Sequence, residues 1–418
     1  MVRPMAKPPS GLVAALDVGS TKMACVIARI GGDRKPRLLG FGHQASAGVR
    51  RGVITDMAAA TAAISSVVQE AETMADERVD SVFVTMAGGG AVSCLGRAET
   101  PIGGRAVGDL DVDRVLQLAR AQAPVQGRRV LHVLPLDYSI DEARGIEEPR
   151  GLFGDKLGVS LHIVSGEEGP AKSVEASAAR AHLEVDQLVA SGYAAGLGVL
   201  TPDEADLGAT VIDIGGGTVS ISIFRGDKPI FIDSIPVGGQ TLTQDIAIVL
   251  KTPLADAERL KAIDGSCIAA VADEHRFLSA PTIGEDGHSG GQPSTRADLV
   301  RVIHVRMEEV FEMARQRIAD AGLERASGGS LVLTGGGACL HGVSDLAGRV
   351  LAKRARIGRP GGVLGLDERL NDPCFAAPIG LLRYAAKDAA GADIAQLAAV
   401  SGAPGVFGRL GAWFKEHF

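Results

Sequence analysis

The chain has 418 residues, a length for which two domains are expected, and its 46% hydrophobic content suits a globular protein. Its charged fraction of 22% leaves little room for long disorder. Its net charge of -7 argues against general nucleic-acid affinity, because no broad basic face exists to displace phosphate counterions. The five cysteines lie far apart without a C-x-x-C pair, which is typical of reduced cytosolic thiols rather than of disulfides or a zinc site.

The first part of the chain predicts a strand, a turn and a second strand. Residues 1–10 are polar and contain proline, so they are neither a signal peptide nor a membrane start. The apolar run Leu12–Leu16 leads into the turn Asp17–Lys22, and the β-rich run Met23–Ile30 follows. Helical periodicity covers Asp56–Met74. No stretch reaches the roughly 18 apolar residues that a spanning helix needs, so a cytoplasmic protein is predicted.

Residues 82–165 are predicted to form a small α+β module. Strands are expected at Val82–Met86, Arg129–Ile140 and Val159–Val164, with a helix at Asp111–Ala121 between the first two.

The second half repeats the pattern of the first around another glycine turn. Long helices are predicted to frame a Gly/Ser/Pro-rich loop at 281–294. The expected elements are helix Glu167–His182, strand Val185–Ala190, strand Ala209–Ile212, turn Asp213–Thr218, a strand through Phe224, helices Thr241–Leu250 and Arg296–Ala321, and strand Leu331–Thr334 with a glycine turn and a helix after it.

The two turns indicate a phosphate site. Superposing Asp17 on Asp213 aligns the flanking strands and the glycine two positions later, which predicts an internal duplication. A tight turn directs several backbone N–H groups into one concavity that binds anions, and glycine lets the backbone approach closely. A single D-x-G turn is an ordinary strand connection. The second copy, together with the triplet Gly335–Gly337 after a buried strand, favours a nucleotide site with the triplet at its adenosine end.

Side chains in these turns supply further groups for a polyphosphate. The hydroxyls of Ser20, Thr21 and Thr218 can donate hydrogen bonds, and Lys22 adds a positive charge. Asp17 and Asp213 each end a strand, where a carboxylate could hold a hydrated Mg²⁺.

Longer motifs resemble the actin/Hsp70/sugar-kinase superfamily and, within it, the FtsA family of bacterial cell-division proteins, over nearly the whole chain. The motif RVLHVLPLDYSID looks like part of the extra subdomain by which that family differs from actin. The motifs are RGVITDM (Arg51–Met57), RVLHVLPLDYSID (Arg129–Asp141), DLGATVIDIGGGT (Asp206–Thr218), PVGGQTLTQDIA (Pro236–Ala247), AERLK (Ala257–Lys261) and LVLTGGGACLHG (Leu331–Gly342).

The resemblance implies an α/β, actin-like two-domain ATPase fold with an inserted α+β subdomain and a C-terminal amphipathic helix. The expected segments are 11–81 and 166–206 for domain 1, 82–165 for the insertion, 207–355 for domain 2 with a subdomain at about 246–325, 356–386 for the return to domain 1, 387–404 for a flexible linker, and 405–418 for the helix.

Site residues are implied residue by residue. Arg306 and Glu309 lie on the helix that resembles the family's site for the tail of the tubulin-like protein FtsZ. The implied ATP-binding residues are Asp17, Gly19, Ser20, Thr21, Lys22, Asp213, Gly215, Gly216, Gly217, Thr218, Gly238, Gly239, Glu258, Lys261, Gly335, Gly336 and Gly337.

The resemblance further implies an adaptor that polymerises like actin, binds the FtsZ tail, and attaches it to the cytoplasmic face of the inner membrane at the division site. Later division proteins are expected on the 82–165 subdomain. Two positions depart from the family pattern, because Ser220 and Ser191 stand where acidic residues are usual. Without a group to orient the attacking water, hydrolysis is expected to be slow or absent.

The last residues predict an amphipathic helix that lies in the membrane interface. On a helical wheel its apolar side chains fall in one arc, with charged residues opposite. The helix could instead pack on its own domain or in a partner's groove; the resemblance and the Ala/Gly-rich tether before it favour the membrane. The energy of burying this arc is comparable to the cost of ordering the tail, so attachment is expected to depend on assembly. The apolar residues are Val406, Phe407, Leu410, Trp413, Phe414 and Phe418.

Three other kinds of protein share the actin-like fold and are alternatives to this function. A PilM-like pilus adaptor has a similar insertion but normally lacks the amphipathic tail. An actin-fold kinase or true ATPase would need a substrate aspartate or an activated water, and neither is visible. An MreB-like filament is disfavoured by the 82–165 module.

Overall fold

The computed structural model describes residues 11–279, 281 and 294–388. Its strands are β1 (Leu12–Val18), β2 (Lys22–Ile30), β3 (Pro36–Ala45), β4 (Val49–Arg50), β5 (Val53–Ile54), β6 (Ser81–Met86), β7 (Val92–Pro101), β8 (Arg128–Ile140), β9 (Ala143–Ile146), β10 (Lys156–Glu167), β11 (Glu184–Ala190), β12 (Ala209–Ile214), β13 (Val219–Arg225), β14 (Lys228–Ile235), β15 (Ser330–Thr334) and β16 (Arg354–Ile357). Its helices are α1 (Met57–Ala75), α2 (Asp109–Ala121), α3 (Glu168–Arg180), α4 (Ser191–Val199), α5 (Pro202–Leu207), α6 (Gly239–Leu250), α7 (Leu254–Asp264), α8 (Arg296–Asp320), α9 (Val343–Leu351) and α10 (Ala376–Asp388).

Among the described residues, the larger of two compact units comprises those up to Ser93 and those from Gly166 to Ala386. Within it, one sheet has the strand order β11-β6-β1-β2-β3 and the other has β16-β15-β12-β13-β14. β1 pairs antiparallel with β2 and parallel with β6, just as β12 pairs antiparallel with β13 and parallel with β15. The two sheets therefore repeat one topology, as the alignment of the two turns predicted.

Helix α1 packs on the first sheet through the face that its periodicity predicted. Asp56 begins the helix, and its Oδ1 accepts the N–H of Ala59 at 3.0 Å, which satisfies one of the unpaired donors of the first turn. The buried face includes Ala60, Ile64 and Val67. Removing these apolar side chains from water stabilises the fold by about 25 cal/mol for each Å² buried.

The second sheet packs against a layer formed by α6, α7 and α8. Ile212 and Leu333 of the sheet share one core cluster with Ile246 of α6 and Phe311 of α8. Helix α8 begins with a capping box, in which Thr295 Oγ1 accepts the N–H of Asp298 at 3.3 Å while the Asp298 carboxylate accepts the N–H of Thr295 at 3.0 Å.

The last described helix returns to the first sheet. In α10 the ring of Tyr384 lies 5.5 Å from that of Tyr193 and 6.1 Å from that of Phe83, measured between centroids. Leu364 forms a parallel bridge with Arg37 of β3. Through these contacts, Leu364 and Tyr384 join the last described part of the chain to the first sheet and to α4.

The smaller unit includes Cys94–Ser165. Its strand order is β7-β10-β8-β9, and its core joins α2 to the strands through Val115, Leu157 and Ile163. The predicted start of this module at residue 82 is wrong. Strand β6 pairs with β1 and β11 in the first sheet of the larger unit, so the smaller unit begins at Cys94 instead.

Two further expectations differ from the structure at the ends of elements. The triplet Gly335–Gly337 does not open an α-helix directly, because a short 3₁₀ turn covers Gly336–Cys339 and α9 begins at Val343. Helix α10 continues to Asp388, past the predicted start of the linker at residue 387. In the part of the chain that the structure describes, no helix is both long and apolar enough to cross a bilayer.

Candidate functional site

The first predicted phosphate turn connects β1 to β2 at the end of β1. The Oδ1 atom of Asp17 accepts a hydrogen bond from the buried hydroxyl of Thr85 at 2.7 Å, and Lys22 Nζ lies 3.5 Å from Asp17 Oδ2. Ser20 Oγ accepts the backbone N–H of Gly52 at 2.7 Å. Because a hydroxyl both accepts and donates, this contact leaves the Ser20 proton for a ligand.

The second turn connects β12 to β13 in the same way. The Ser191 hydroxyl, at the start of α4, donates to Asp213 Oδ2 at 3.4 Å. The backbone N–H of Gly239, at the start of α6, donates to the carbonyl of Gly215 at 2.9 Å. Gly335 approaches this turn so closely that an added Cβ would lie 2.6 Å from the Ile214 carbonyl oxygen, and its φ of +79° also favours glycine.

The two turns contact each other directly. A Cβ on Gly216 would lie 2.9 Å from Thr21 Cβ and even closer to the Thr21 hydroxyl, and a Cβ on Gly217 would collide with the Ser20 hydroxyl. Gln240 Nε2, from the second half, donates to the carbonyl of Ser20 at 2.9 Å. The glycines of the second turn are therefore required for the approach of one turn to the other, and not for a phosphate alone.

The turns form one end of a cavity of about 460 Å³, a volume within the usual range for small-molecule sites. Of the seventeen predicted nucleotide-binding residues, all but Gly238 line it. These sixteen are Asp17, Gly19, Ser20, Thr21, Lys22, Asp213, Gly215, Gly216, Gly217, Thr218, Gly239, Glu258, Lys261, Gly335, Gly336 and Gly337.

Helix α7 contributes the charged pair at another part of the cavity. Lys261 Nζ lies 2.6 Å from Glu258 Oε2 and donates to Thr243 Oγ1 at 2.8 Å, which joins α7 to α6. Gly238 supports the site from behind, because a Cβ there would lie 2.6 Å from the carbonyl oxygen of Gly215.

The two aspartates are the groups that could hold a metal ion. Burial, and then the nearby carboxylate of Asp17, raise the pKa of Asp213 to about 7, against the opposing effects of the Ser191 hydroxyl and the Lys22 ammonium. A bound cation would relieve the repulsion between these carboxylates. The described residues include no group of three or more His, Cys, Asp or Glu side chains placed to hold a metal. This donor set suits Mg²⁺, which keeps several waters and takes few protein ligands when it binds with phosphates.

Sequence reasoning missed the lining residues that come from distant parts of the chain. The thiols of Cys339 and Cys374, treated as unrelated in the sequence, both line the cavity beside Asp372. Cys339 Sγ lies 3.9 Å from Asp372 Oδ1, which also accepts the N–H of Cys374 at 2.9 Å. Burial raises the pKa of Cys374 to about 12, so it is a neutral thiol at pH 7. The other missed residues include Leu242, Met307, Leu340, Pro373 and Ala377.

The remaining predicted sites lie outside this cavity. Arg306 of α8 pairs with Asp245 of α6 at 2.6 Å and with Glu309 at 2.6 Å, so this charged group is on the helix surface. The neighbouring Met307 points to the cavity. The six predicted membrane residues, Val406, Phe407, Leu410, Trp413, Phe414 and Phe418, lie outside the described residues.

Comparisons of sequence support the resemblance. The family model described as "Cell division protein FtsA" matches residues 210–380, and the one described as "SHS2 domain inserted in FTSA" matches residues 88–165. Cell division protein FtsA of Agrobacterium fabrum is 40% identical over all of this chain and 97% of its own length. Cell division protein FtsA of Escherichia coli K12 is 29% identical over 97% of this chain and 98% of its own.

Comparisons of structure support the fold. The PilM-PilN type IV pilus biogenesis complex matches with a TM-score of 0.62 and 19% identity, over 90% of this chain and 98% of that one. MreB5 of Spiroplasma citri bound to ADP matches with a TM-score of 0.52 and 15% identity, over 92% of this chain and 99% of that one. At these identities the likeness shows the actin-like fold alone.

Proposed function

Because this chain belongs to the FtsA family of cell division proteins, we propose that it is a cytoplasmic, ATP-binding adaptor that polymerises and tethers the FtsZ ring to the inner membrane. The role in cell division is supported by membership of this family. The observation that supports nucleotide binding is the single cavity that sixteen predicted residues line between two duplicated turns.

In this proposal the polyphosphate lies between the two turns. Backbone N–H groups and the hydroxyls of Ser20, Thr21 and Thr218 donate to it, and the adenosine lies toward α7 and the Gly335–Gly337 turn. Mg²⁺, held near Asp17 through water, would offset the charge of the phosphates.

We expect hydrolysis to be slow or absent, with ATP acting as a structural ligand. Ser191 donates to Asp213, and a hydroxyl is a poor base at pH 7. Ser220 is buried against Gly192, where a Cβ would lie 3.2 Å from the Ser220 Cβ, and it is not among the cavity-lining residues. A steady-state measurement with radiolabelled ATP tests this, and turnover above a few per minute would contradict it.

The proposed site for the FtsZ tail is the surface of α8 around Glu309. The two helices that Arg306 and Asp245 join also carry exposed apolar side chains, since Val305 of α8 is 59% exposed and Ile248 of α6 is 74% exposed. Such a surface suits a short peptide that has both apolar and charged residues. Arg306 is a less suitable position to test, because its pair with Asp245 also joins α8 to α6.

Fluorescence anisotropy with a labelled FtsZ-tail peptide tests this site. Glu309→Lys should weaken binding by about fivefold or more, equivalent to about 1 kcal/mol. Glu312→Lys is the matched control, because Glu312 lies on the same helix and also pairs with an arginine three residues away, and it should change binding less than about twofold. Failure of the wild-type chain to bind the peptide would contradict the FtsZ role and favour the pilus adaptor.

The inserted unit is the proposed contact for later division proteins. Leu110 and Phe153 are 78% and 73% exposed on it, and large exposed apolar side chains of this kind favour a protein partner.

Membrane attachment is proposed to reside in residues 405–418 and to require assembly. One tail binds marginally, whereas a filament presents many tails at once and gains avidity. Liposome co-sedimentation of the full chain should therefore rise steeply at the concentration where light scattering detects polymer, and a chain ending at residue 404 should stay in solution. Strong binding of full-length monomer would contradict the dependence on assembly.

A further inference from the structure

The hairpin of β4 and β5 is connected by a two-residue turn, Arg51–Gly52. Val49 pairs with Ile54 and Arg50 pairs with Val53. Arg51 and Gly52 both have positive φ, +48° and +72°, as a type I′ hairpin turn requires. The tip is therefore held in a defined conformation by its own short strands.

This tip contacts both phosphate turns. The N–H of Gly52 donates to Ser20 Oγ of the first turn at 2.7 Å. At the second turn, a Cβ on Gly217 would lie 2.7 Å from Arg51 Cα and 2.9 Å from Arg51 N, so the Arg51 backbone lies against Gly217. The Arg51 backbone therefore lies where the two turns meet, next to the cavity, although Arg51 is not one of the residues that line it.

The charged side chains that line the cavity would not neutralise a bound polyphosphate, so a further cation would stabilise it. The charged lining side chains are three carboxylates and two ammonium groups, and both ammonium groups already face a carboxylate. Lys22 lies 3.5 Å from Asp17, and Lys261 lies 2.6 Å from Glu258. A nucleoside triphosphate would add several negative charges to this lining, and the metal ion would offset only part of them.

Arg51 is a cation placed to meet that need. Its side chain is exposed, and its guanidinium makes no hydrogen bond or ion pair with the described residues. Guanidinium groups bind phosphate oxygens through two parallel hydrogen bonds, which a lysine ammonium cannot match.

We propose that Arg51 contacts the terminal phosphate of the bound nucleotide and so makes the site favour a nucleoside triphosphate over a diphosphate. The inference rests on the proposed nucleotide function. With the adenosine toward α7, as in the proposed function, the phosphates would run toward the junction of the turns, and the terminal phosphate would be the group nearest the hairpin tip. The Ser20 hydroxyl, oriented by Gly52, donates to the same phosphate.

Isothermal titration of the full-length chain with MgATP and with MgADP tests this assignment. Arg51→Gln should weaken MgATP binding about tenfold, the lower range for a hydrogen bond to a charged group, and MgADP binding less than about twofold. Arg50→Gln is the matched control: Arg50 precedes Arg51, is also exposed, and pairs with Val53 in the hairpin strands instead of standing in the hairpin turn, so both affinities should stay within about twofold. Arg51→Gly, which suits the positive φ, removes the charge without straining the turn and should repeat the loss.

The outcomes separate the two proposals. Equal losses for MgATP and MgADP, or the same change in the Arg50 and Arg51 variants, would overturn the role of Arg51 while leaving nucleotide binding intact. A wild-type chain that binds neither nucleotide would overturn the nucleotide function and, with it, this inference.

Discussion

Substitution of Gly217 by alanine should destabilise the protein because the tip of the β4–β5 hairpin leaves no room for a methyl group on the second phosphate turn. The added Cβ would lie 2.7 Å from Arg51 Cα and 2.9 Å from Arg51 N, whereas real Cβ atoms essentially never approach closer than 3.0 Å. Both neighbours are backbone atoms, so rotation of a side chain does not relieve the collision. Inserting a methyl group into such a packed contact typically costs about 1–3 kcal/mol.

Gly336→Ala is the matched control for this substitution. Gly336 lines the same cavity, but a Cβ there meets no atom within 4 Å and its backbone does not have a positive φ. Each alanine also lowers the entropy of the unfolded chain, which stabilises the protein by about 0.4–1 kcal/mol at an unstrained site. Since both variants share this gain, the difference between them isolates the collision.

Urea unfolding of nucleotide-free protein measures that difference. Gly336→Ala should unfold at the wild-type midpoint or slightly above it, and Gly217→Ala should lie about 1–3 kcal/mol below Gly336→Ala in free energy of unfolding. Equal midpoints for the two alanine variants would refute the conclusion that the hairpin tip lies directly against the second turn in the free protein.

Two other substitutions test a hydrogen bond to Asp17 at the site and an ion pair elsewhere in the fold. Thr85→Val should lower the free energy of unfolding by about 1–3 kcal/mol in urea, because the hydroxyl that serves Asp17 and the N–H of Val18 is lost and leaves both without that partner; an unchanged midpoint would show that water replaces it. Arg356→Gln should cost about 1 kcal/mol at pH 7. The Arg356 guanidinium holds the pKa of Glu204 below its ordinary value, so this contribution is present above the unfolded-state pKa and the gap to wild type should close as the pH falls through the folded-state pKa; a gap that widens in acid would contradict this pairing.

Elements with a strong local signal were predicted well. Helix α1 has an N-cap aspartate and apolar residues at helical spacing, and the observed bounds, Met57–Ala75, lie within one residue of the prediction. Helix α8 was also predicted, and it ends one residue before the expected Ala321. The turns at Asp17 and Asp213 were found because glycine is required there for backbone reasons that the sequence displays directly.

Strand β3 was missed because its composition reflects tertiary contacts. Gly40 and Gly42 interrupt any apolar alternation, and they are glycine because α1 crosses so close that a Cβ on Gly40 would lie 2.5 Å from the Ala75 nitrogen. Helix α7 was missed as an element since its apolar residues follow no stripe, and Leu254 and Ile263 are exposed. Both elements depend on neighbours that local periodicity does not reveal.

Strand β6 shows a different limit. The residues Val82–Met86 read as a strand, and the structure confirms one at Ser81–Met86. Which sheet it joins is decided by partners about seventy residues before it, in β1, and about a hundred residues after it, in β11. Cys339 and Cys374 also meet at Asp372 only through the tertiary fold. The part of the cavity formed by the phosphate turns was therefore predicted from the sequence, whereas the part formed by these two thiols was not.

Ser20 connects ligand binding to the contact between the two phosphate turns through its carbonyl and its hydroxyl. Its carbonyl accepts from Gln240 and its hydroxyl touches Gly217, and both of these partners belong to the second half. The same hydroxyl accepts from Gly52, which belongs to the first half. If the two turns moved apart, the contacts of Ser20 with Gln240 and Gly217 would be lost together. The contact with Gly52 would remain and would keep the Ser20 hydroxyl oriented. A phosphate that binds the Ser20 hydroxyl and the second turn at the same time would replace the lost contacts. Such a phosphate would therefore favour the arrangement in which the two turns lie close together.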